Sequence, residues 1–208
     1  MSNPPLDVIC LGAAGEVHSR MFCFGCNTTS DTDHQPFKML PVAISGSTLV
    51  DALKWHFKAE VMDGDDNLYF CERCKGYRRA SKKLRLSALP TLFVVQLKRF
   101  GTADSSKIGG HIPFRDTLAL GGVAHAVGSA MYDLRAIVVH SGASIHEGHY
   151  YAFVRCGARW LKFDDEIVSE VSWEVVKANE AYLLFYEIQQ PQPEQEVQSP
   201  VCPTGAPS

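Results

Sequence analysis

The chain lacks a surplus of positive charge: 20 Lys and Arg stand against 23 Asp and Glu, for a formal net charge of −3. Proteins that bind nucleic acid by bulk electrostatics need a basic excess on some face, so that class is disfavoured. The densest basic cluster, Arg78 and Arg79 through Lys82, Lys83 and Arg85, is short and reads as a solvated strand or loop. The chain also has no run of 18 apolar residues, which is what a membrane-spanning helix requires. Residues 1–7 offer neither a basic stretch nor a long apolar one, so nothing points to secretion. No internal repeat is visible. Cysteine is sparse and odd in number, seven in 208 residues. Without a secretory signal, that pattern suggests metal binding more than a disulfide framework, and the cytosol or nucleus is the expected location.

What remains is ordinary globular material. Hydrophobic residues make up 46% and charged residues 21%, close to the average for folded domains. A chain of this length can bury roughly 70% of its unfolded surface. Residues 189–208 are Gln- and Pro-rich with few large apolar side chains, which predicts a disordered tail that includes Cys202. Thr48 followed by Asp51 is a capping-box pattern, and Leu49, Leu53 and Phe57 recur every four positions, so a helix is expected to about Glu60. The segment 63–67 reads as a turn. Residues 91–97, 134–139, 150–154, 159–163 and 182–186 read as strands, with a short helix over 172–179. The fold class expected is α+β with a mostly antiparallel sheet.

Cys23-x-x-Cys26 and Cys71-x-x-Cys74 are separated by 44 residues. Each pair can form a knuckle with both thiolates converging, and two knuckles complete a tetrahedron for structural Zn2+. Compact zinc ribbons place 15–20 residues between pairs, so here the predicted helix must lie in the loop between them. Bound metal would tie together extended strands that have little core of their own. Reduced cysteines or a redox pair are the blander readings.

The most chemically suggestive stretch runs from His140 through a glycine-bounded loop to His149. Gly157 and Ala158 suit the two central positions of a type II′ hairpin turn. Cys156 then faces Arg159, His149 faces Glu166, and Asp164 is the diagonal neighbour of His149 on the same face, about 7 Å away. Asp165 is expected on the opposite face, although a turn one residue longer would swap the two aspartates, and Cys156 is expected to face away from His149 and pack. An imidazole oriented by a carboxylate is the base half of a nucleophile triad; a histidine held in a turn beside solvated aspartates is the alternative. His18, His34, His56, His111, His125 and His146 have no such setting.

The sequence resembles the ubiquitin-specific protease family. Leu89-Pro90 through Leu97-Lys98-Arg99-Phe100 looks like its palm strand, Gly148-His149-Tyr150 like its histidine box, and Trp160 through Phe163-Asp164-Asp165 like its aspartate segment. The paired cysteines match its zinc-bearing fingers in order and spacing. The resemblance implies a papain-like thiol protease that cleaves after the C-terminal glycine of ubiquitin, with His149 as general base, Asp164 as its orienter and Asp165 in a supporting polar role. It implies ubiquitin and ubiquitinated proteins as partners, fingers over about 15–90 and a palm over about 91–188. The family's cysteine box is not found, so the expected architecture is a partial catalytic domain over 1–188, without thumb or nucleophile and inactive alone. Cys10 lies in the right order, but no helix follows to lower its thiol pKa. The rival readings are a catalytically dead ubiquitin-binding module and a zinc-stabilised scaffold.

Overall fold

The computed structural model describes residues 14–32, 34–64, 66–101, 107–121, 123–124, 130–144 and 146–189. In chain order the first half contains β1 (Gly15–Cys23), β2 (Thr28–Asp31), β3 (Gln35–Phe37), β4 (Leu40–Ala43), α1 (Leu49–His56), β5 (Glu60–Met62), β6 (Tyr69–Cys71), β7 (Gly76–Arg78) and β8 (Ala80–Ala88). The second half contains β9 (Leu92–Lys98), β10 (Thr117–Ala119), β11 (Met131–Ser141), β12 (His149–Cys156), β13 (Arg159–Asp164), β14 (Ile167–Val171), α2 (Trp173–Lys177) and β15 (Ala181–Ile188). The α+β expectation holds, and the basic run from Lys82 to Arg85 lies on β8.

Two sheets carry the structure. The smaller has β1 and β8 as its antiparallel spine, with Met21 opposite Lys82 and Cys23 opposite Ala80. β2 and β3 pair the free edge of β1, and β5 pairs β8. Beyond the spine, β6 and β7 form a separate hairpin. The larger sheet has the order β14-β13-β12-β11-β15-β9-β4, with β10 also on β11. Its described pairings are antiparallel except β4 with β9, which is parallel. The core lies on its central strands: Phe93, Val95 and Leu97 of β9, Tyr132, Leu134, Ile137 and Val139 of β11, and Leu184 and Tyr186 of β15 are buried. A bulge between Leu134 and Ala136 shifts the alternation of β11 by one residue, which is why burial moves from even to odd positions along the strand.

α1 seals this core with Leu49, Ala52 and Leu53, followed by Phe57. Its start follows the sequence pattern, since the Thr48 hydroxyl accepts from Asp51 N and donates to Asp51 Oδ2. Its end does not. The helix stops at Phe57, three residues short of the expected Glu60, because Glu60 is the first residue of β5 and pairs with Lys82. α2 is likewise shorter than expected, capped by Ser172. The 63–67 turn closes through Asn67 N donating to Gly64 O. Among the described residues, no helix is long and apolar enough to cross a membrane. Cys10, His125, Cys202 and the tail from 190 onward lie outside the described residues.

Candidate active site and metal centre

The four paired cysteines converge at the end of the smaller sheet. β1 delivers Cys23 and the β6–β7 hairpin delivers Cys71. Each knuckle then turns through a residue in the left-handed region, Asn27 at φ 54° and Lys75 at φ 52°. In the first, Asn27 N donates to Cys23 O at 2.9 Å. The Sγ atoms of Cys23 and Cys74 are 4.0 Å apart, and those of Cys26 and Cys71 are 3.7 Å apart. A tetrahedral cation with sulfur ligands at about 2.3 Å needs about 3.8 Å between sulfurs, so this donor set fits a metal ion. The thiols also compete for ionisation. The Thr28 hydroxyl, 3.0 Å from Cys26 Sγ, pulls that thiol down to about 6. Cys74 is pushed up to about 12, chiefly by the neighbouring Cys26. A central cation would let all four ionise together.

The second constellation lies on the β12–β13 hairpin. Its turn is Gly157-Ala158, with Gly157 at φ 63°, and Cys156 opposes Arg159 as the turn chemistry predicts. The pairing continues to Ala152 opposite Phe163, so His149 and Asp164 fall on one face. His149 Nε2 and Asp164 Oδ1 are 2.5 Å apart. Lys162 Nζ donates to the other oxygen, Asp164 Oδ2, at 2.6 Å. Among the described residues nothing bonds Nδ1 of His149, and that side chain is 45% exposed. The carboxylate of Asp164 raises the pKa of His149, with smaller help from Asp165. Lys162 first, then His149, hold Asp164 below the usual carboxylate range.

Asp165 corrects an expectation. It occupies the turn between β13 and β14 at φ 53°, and this left-handed conformation breaks the strand alternation that would have sent it to the far face. Its carboxylate, the Asp164 carboxylate and the His149 ring have donor atoms within 4.8 Å of one another. Cys156 corrects another. It does face away from His149 by strand parity, but it ends β12 in an exposed position and packs against no core.

Several groups hold the loop that delivers His149. His140 is 1% exposed and sits edge-on to Phe100 and tilted against Tyr150. Gly142 and Gly148 pack directly on its ring, leaving no room for a Cβ at either position. Lys107 fastens the same loop twice: its Nζ donates to His140 O at 2.7 Å and its N to Ala143 O at 2.9 Å. Arg99, fully buried, donates to the carbonyls of Ala181, Ile108 and Gly110.

This geometry can be set beside known proteins. The profile of the family "Ubiquitin carboxyl-terminal hydrolase" matches residues 9–186. The chain belongs to the ubiquitin carboxyl-terminal hydrolase family. It is 35% identical over 176 residues to the probable ubiquitin carboxyl-terminal hydrolase 16 of Schizosaccharomyces pombe, covering 83% of this chain and 38% of that protein. It is 34% identical over 190 residues to ubiquitin carboxyl-terminal hydrolase 21 of Rattus norvegicus, covering 86% and 33%. The chain thus spans between a third and two fifths of the length of these relatives. Among solved structures, the SAGA DUB module of Ubp8, Sgf11, Sus1 and Sgf73 bound to monoubiquitin matches with a TM-score of 0.79 and 34% identity, over 88% of this chain and 42% of that one. The same module bound to ubiquitin aldehyde matches with a TM-score of 0.78 and 32% identity, over 88% and 43%.

Within this hydrolase family member, sequence reasoning singled out His149, Asp164 and the four cysteines, and the fold brings each set together. It passed over Lys162 and Lys107, and it used Arg99 only as part of a motif. The parity of 162 and 164 on one strand was a usable signal for Lys162. Nothing in the sequence pointed to Lys107.

Proposed function

We propose that this chain carries the acid–base half of a deubiquitinating thiol hydrolase, with His149 as general base and Asp164 as its orienter. The observation that carries the reading is the 2.5 Å contact between His149 Nε2 and Asp164 Oδ1, which leaves Nδ1 open to solvent. A carboxylate at one ring nitrogen fixes the tautomer and stabilises the imidazolium, while the other nitrogen takes a proton from the attacking thiol. The thiolate adds to the carbonyl carbon of the terminal glycine of ubiquitin. The bond to the amine then breaks as the imidazolium returns its proton to the leaving nitrogen. Water, deprotonated by the same ring, hydrolyses the resulting thioester.

No described cysteine suits the nucleophile: four form the metal cluster, and Cys156 lies on the other face of β12. In this reading the thiol therefore comes from outside the described residues. Cys23, Cys26, Cys71 and Cys74 hold structural Zn2+, in the role of the family's fingers, and the larger sheet is the palm of a papain-like fold. The partner is ubiquitin, as in the two ubiquitin-bound relatives in the comparison.

The test is reaction of the chain with a ubiquitin probe bearing a C-terminal electrophile. An adduct that disappears with Cys10→Ser assigns the thiol to Cys10. Micromolar binding of ubiquitin without an adduct leaves a ubiquitin-binding module that cannot do the chemistry alone. Neither binding nor adduct, with metal present and the chain folded, overturns the proposal.

A further inference from the structure

From the contacts around Asp164 we infer that Lys162 is a positioning residue of this site: it grips Asp164 Oδ2 and so keeps Oδ1 turned to His149. The inference rests on the reading of His149 as general base. Lys162 lies two residues before Asp164 on β13, and the strand period of two places both on the same face. Its Nζ is 2.6 Å from Asp164 Oδ2 and 4.5 Å from the centroid of the Tyr151 ring. Tyr151 is itself fixed, since its hydroxyl donates to Asn179 Oδ1 at 2.9 Å, and its ring lies nearly parallel to that of His149. The lysine side chain is 31% exposed, well below a freely solvated surface lysine such as Lys75 at 78%. The ammonium is thus held between a carboxylate and an aromatic face, a geometry in which a cation–π contact adds to the ion pair.

This arrangement matters because the last torsion of an aspartate is broad. A carboxylate bonded only through Oδ1 can rotate and offer either oxygen, or neither, to the imidazole. A second partner on Oδ2 removes that freedom.

Lys162 has an electrostatic consequence as well. The groups facing His149 are Asp164 and Lys162 from β13, Asp165 from the following turn, and the phenol of Tyr151 on its own strand. The two carboxylates favour the imidazolium, and a general base has to be neutral before it can accept a proton. The lysine charge offsets a small part of that bias directly, while its grip on Asp164 preserves the larger part.

The experiment is an NMR titration of the full chain with isotope-labelled histidine rings, the His149 signals being identified by their absence in His149→Ala. In Lys162→Met the ring-nitrogen shifts should show a weakened bond to Asp164, and because that bond is the largest contribution raising His149, its titration midpoint should move to lower pH despite the loss of the lysine charge. Lys162→Arg should restore both. Tyr151→Leu, which removes the face beneath Nζ, should move the midpoint the same way by less, and it serves if Lys162→Met does not fold. Ring-nitrogen shifts unchanged in either folded variant overturn the inference, as do shifts that Lys162→Arg fails to restore. A general loss of stability would alter melting without this site-specific shift. The readout needs no turnover, so failure of the ubiquitin-probe experiment and failure of this one are separate results.

Discussion

Replacing Gly148 by alanine tests how the site is delivered. Gly148 sits at φ 156°, which an L side chain seldom adopts, one residue before His149. A Cβ there would lie 2.6 Å from Cε1 of His140 and 2.7 Å from the Ser141 carbonyl oxygen, and closer still to His140 Nε2. Neither neighbour can retreat easily, because His140 is buried against Phe100 and Ser141 is paired with His149 across β11 and β12. Strained backbone of this kind costs about 1–3 kcal/mol. Overpacking costs a further ~1–3 kcal/mol. A chain of this size loses about 2–4 °C in Tm per kcal/mol, so Gly148→Ala should lower Tm by at least about 4 °C. Differential scanning calorimetry of four proteins would measure this: wild type, Gly148→Ala, His140→Ala and the double mutant. Removing the ring should rescue its share of the steric cost but not the clash with the Ser141 carbonyl or the backbone part, giving a coupling of about 1–3 kcal/mol. A Gly148→Ala protein that melts with the wild type, or a cycle with no coupling, would refute the idea that glycine–imidazole packing sets the loop.

Other predictions follow from the same contacts. Cys71→Ala should lose bound zinc and unfold the smaller sheet; one equivalent of zinc retained by elemental analysis would sink the tetrathiolate site. Arg99→Met should cost roughly 3 kcal/mol in urea unfolding, because the buried Ala181 carbonyl and the part-buried Ile108 and Gly110 carbonyls lose a charged donor; a change under about 1 kcal/mol would mean that water replaces it. His149→Ala should barely change stability at neutral pH, since the ring is half exposed. The pair does have a pH signature. His149, raised by Asp164, contributes stability below its ordinary pKa, and this is lost as pH rises through the folded value. Asp164, lowered, contributes above its ordinary pKa, and this is lost as pH falls through the folded value. The Tm difference between wild type and His149→Ala should therefore be greatest between about pH 4 and pH 6.5. A difference that grows above pH 7 would contradict the ion pair.

The hairpin was legible because Gly157-Ala158 fixes a two-residue turn, and a turn fixes register across the whole strand pair. The capping of α1 by Thr48 was legible for a similar local reason. The end of α1 was not: apolar spacing continues through Phe57, but the demand of β8 for a partner at Glu60 is non-local. Asp165 escaped because a strand parity rule does not hold in the tight turn after Asp164. Arg99 escaped because no pattern in a single chain says which arginine will find three carbonyls and be buried. The paired cysteines were legible through spacing alone, although the path of the chain between them was not.

That path has a consequence for how metal and fold speak to each other. Between Cys26 and Cys71 the chain leaves the smaller sheet, contributes β4 and α1 to the larger one, and returns as β5. Closing the cluster therefore fastens a loop whose middle is embedded in the other lobe's core. By linkage, each side stabilises the other: loosening Leu53 or Phe57 in α1 should weaken metal affinity, and a chelator should soften the sheet that bears His149. With a metal at that cluster the two lobes would behave as one stitched fabric, the ion as its knot.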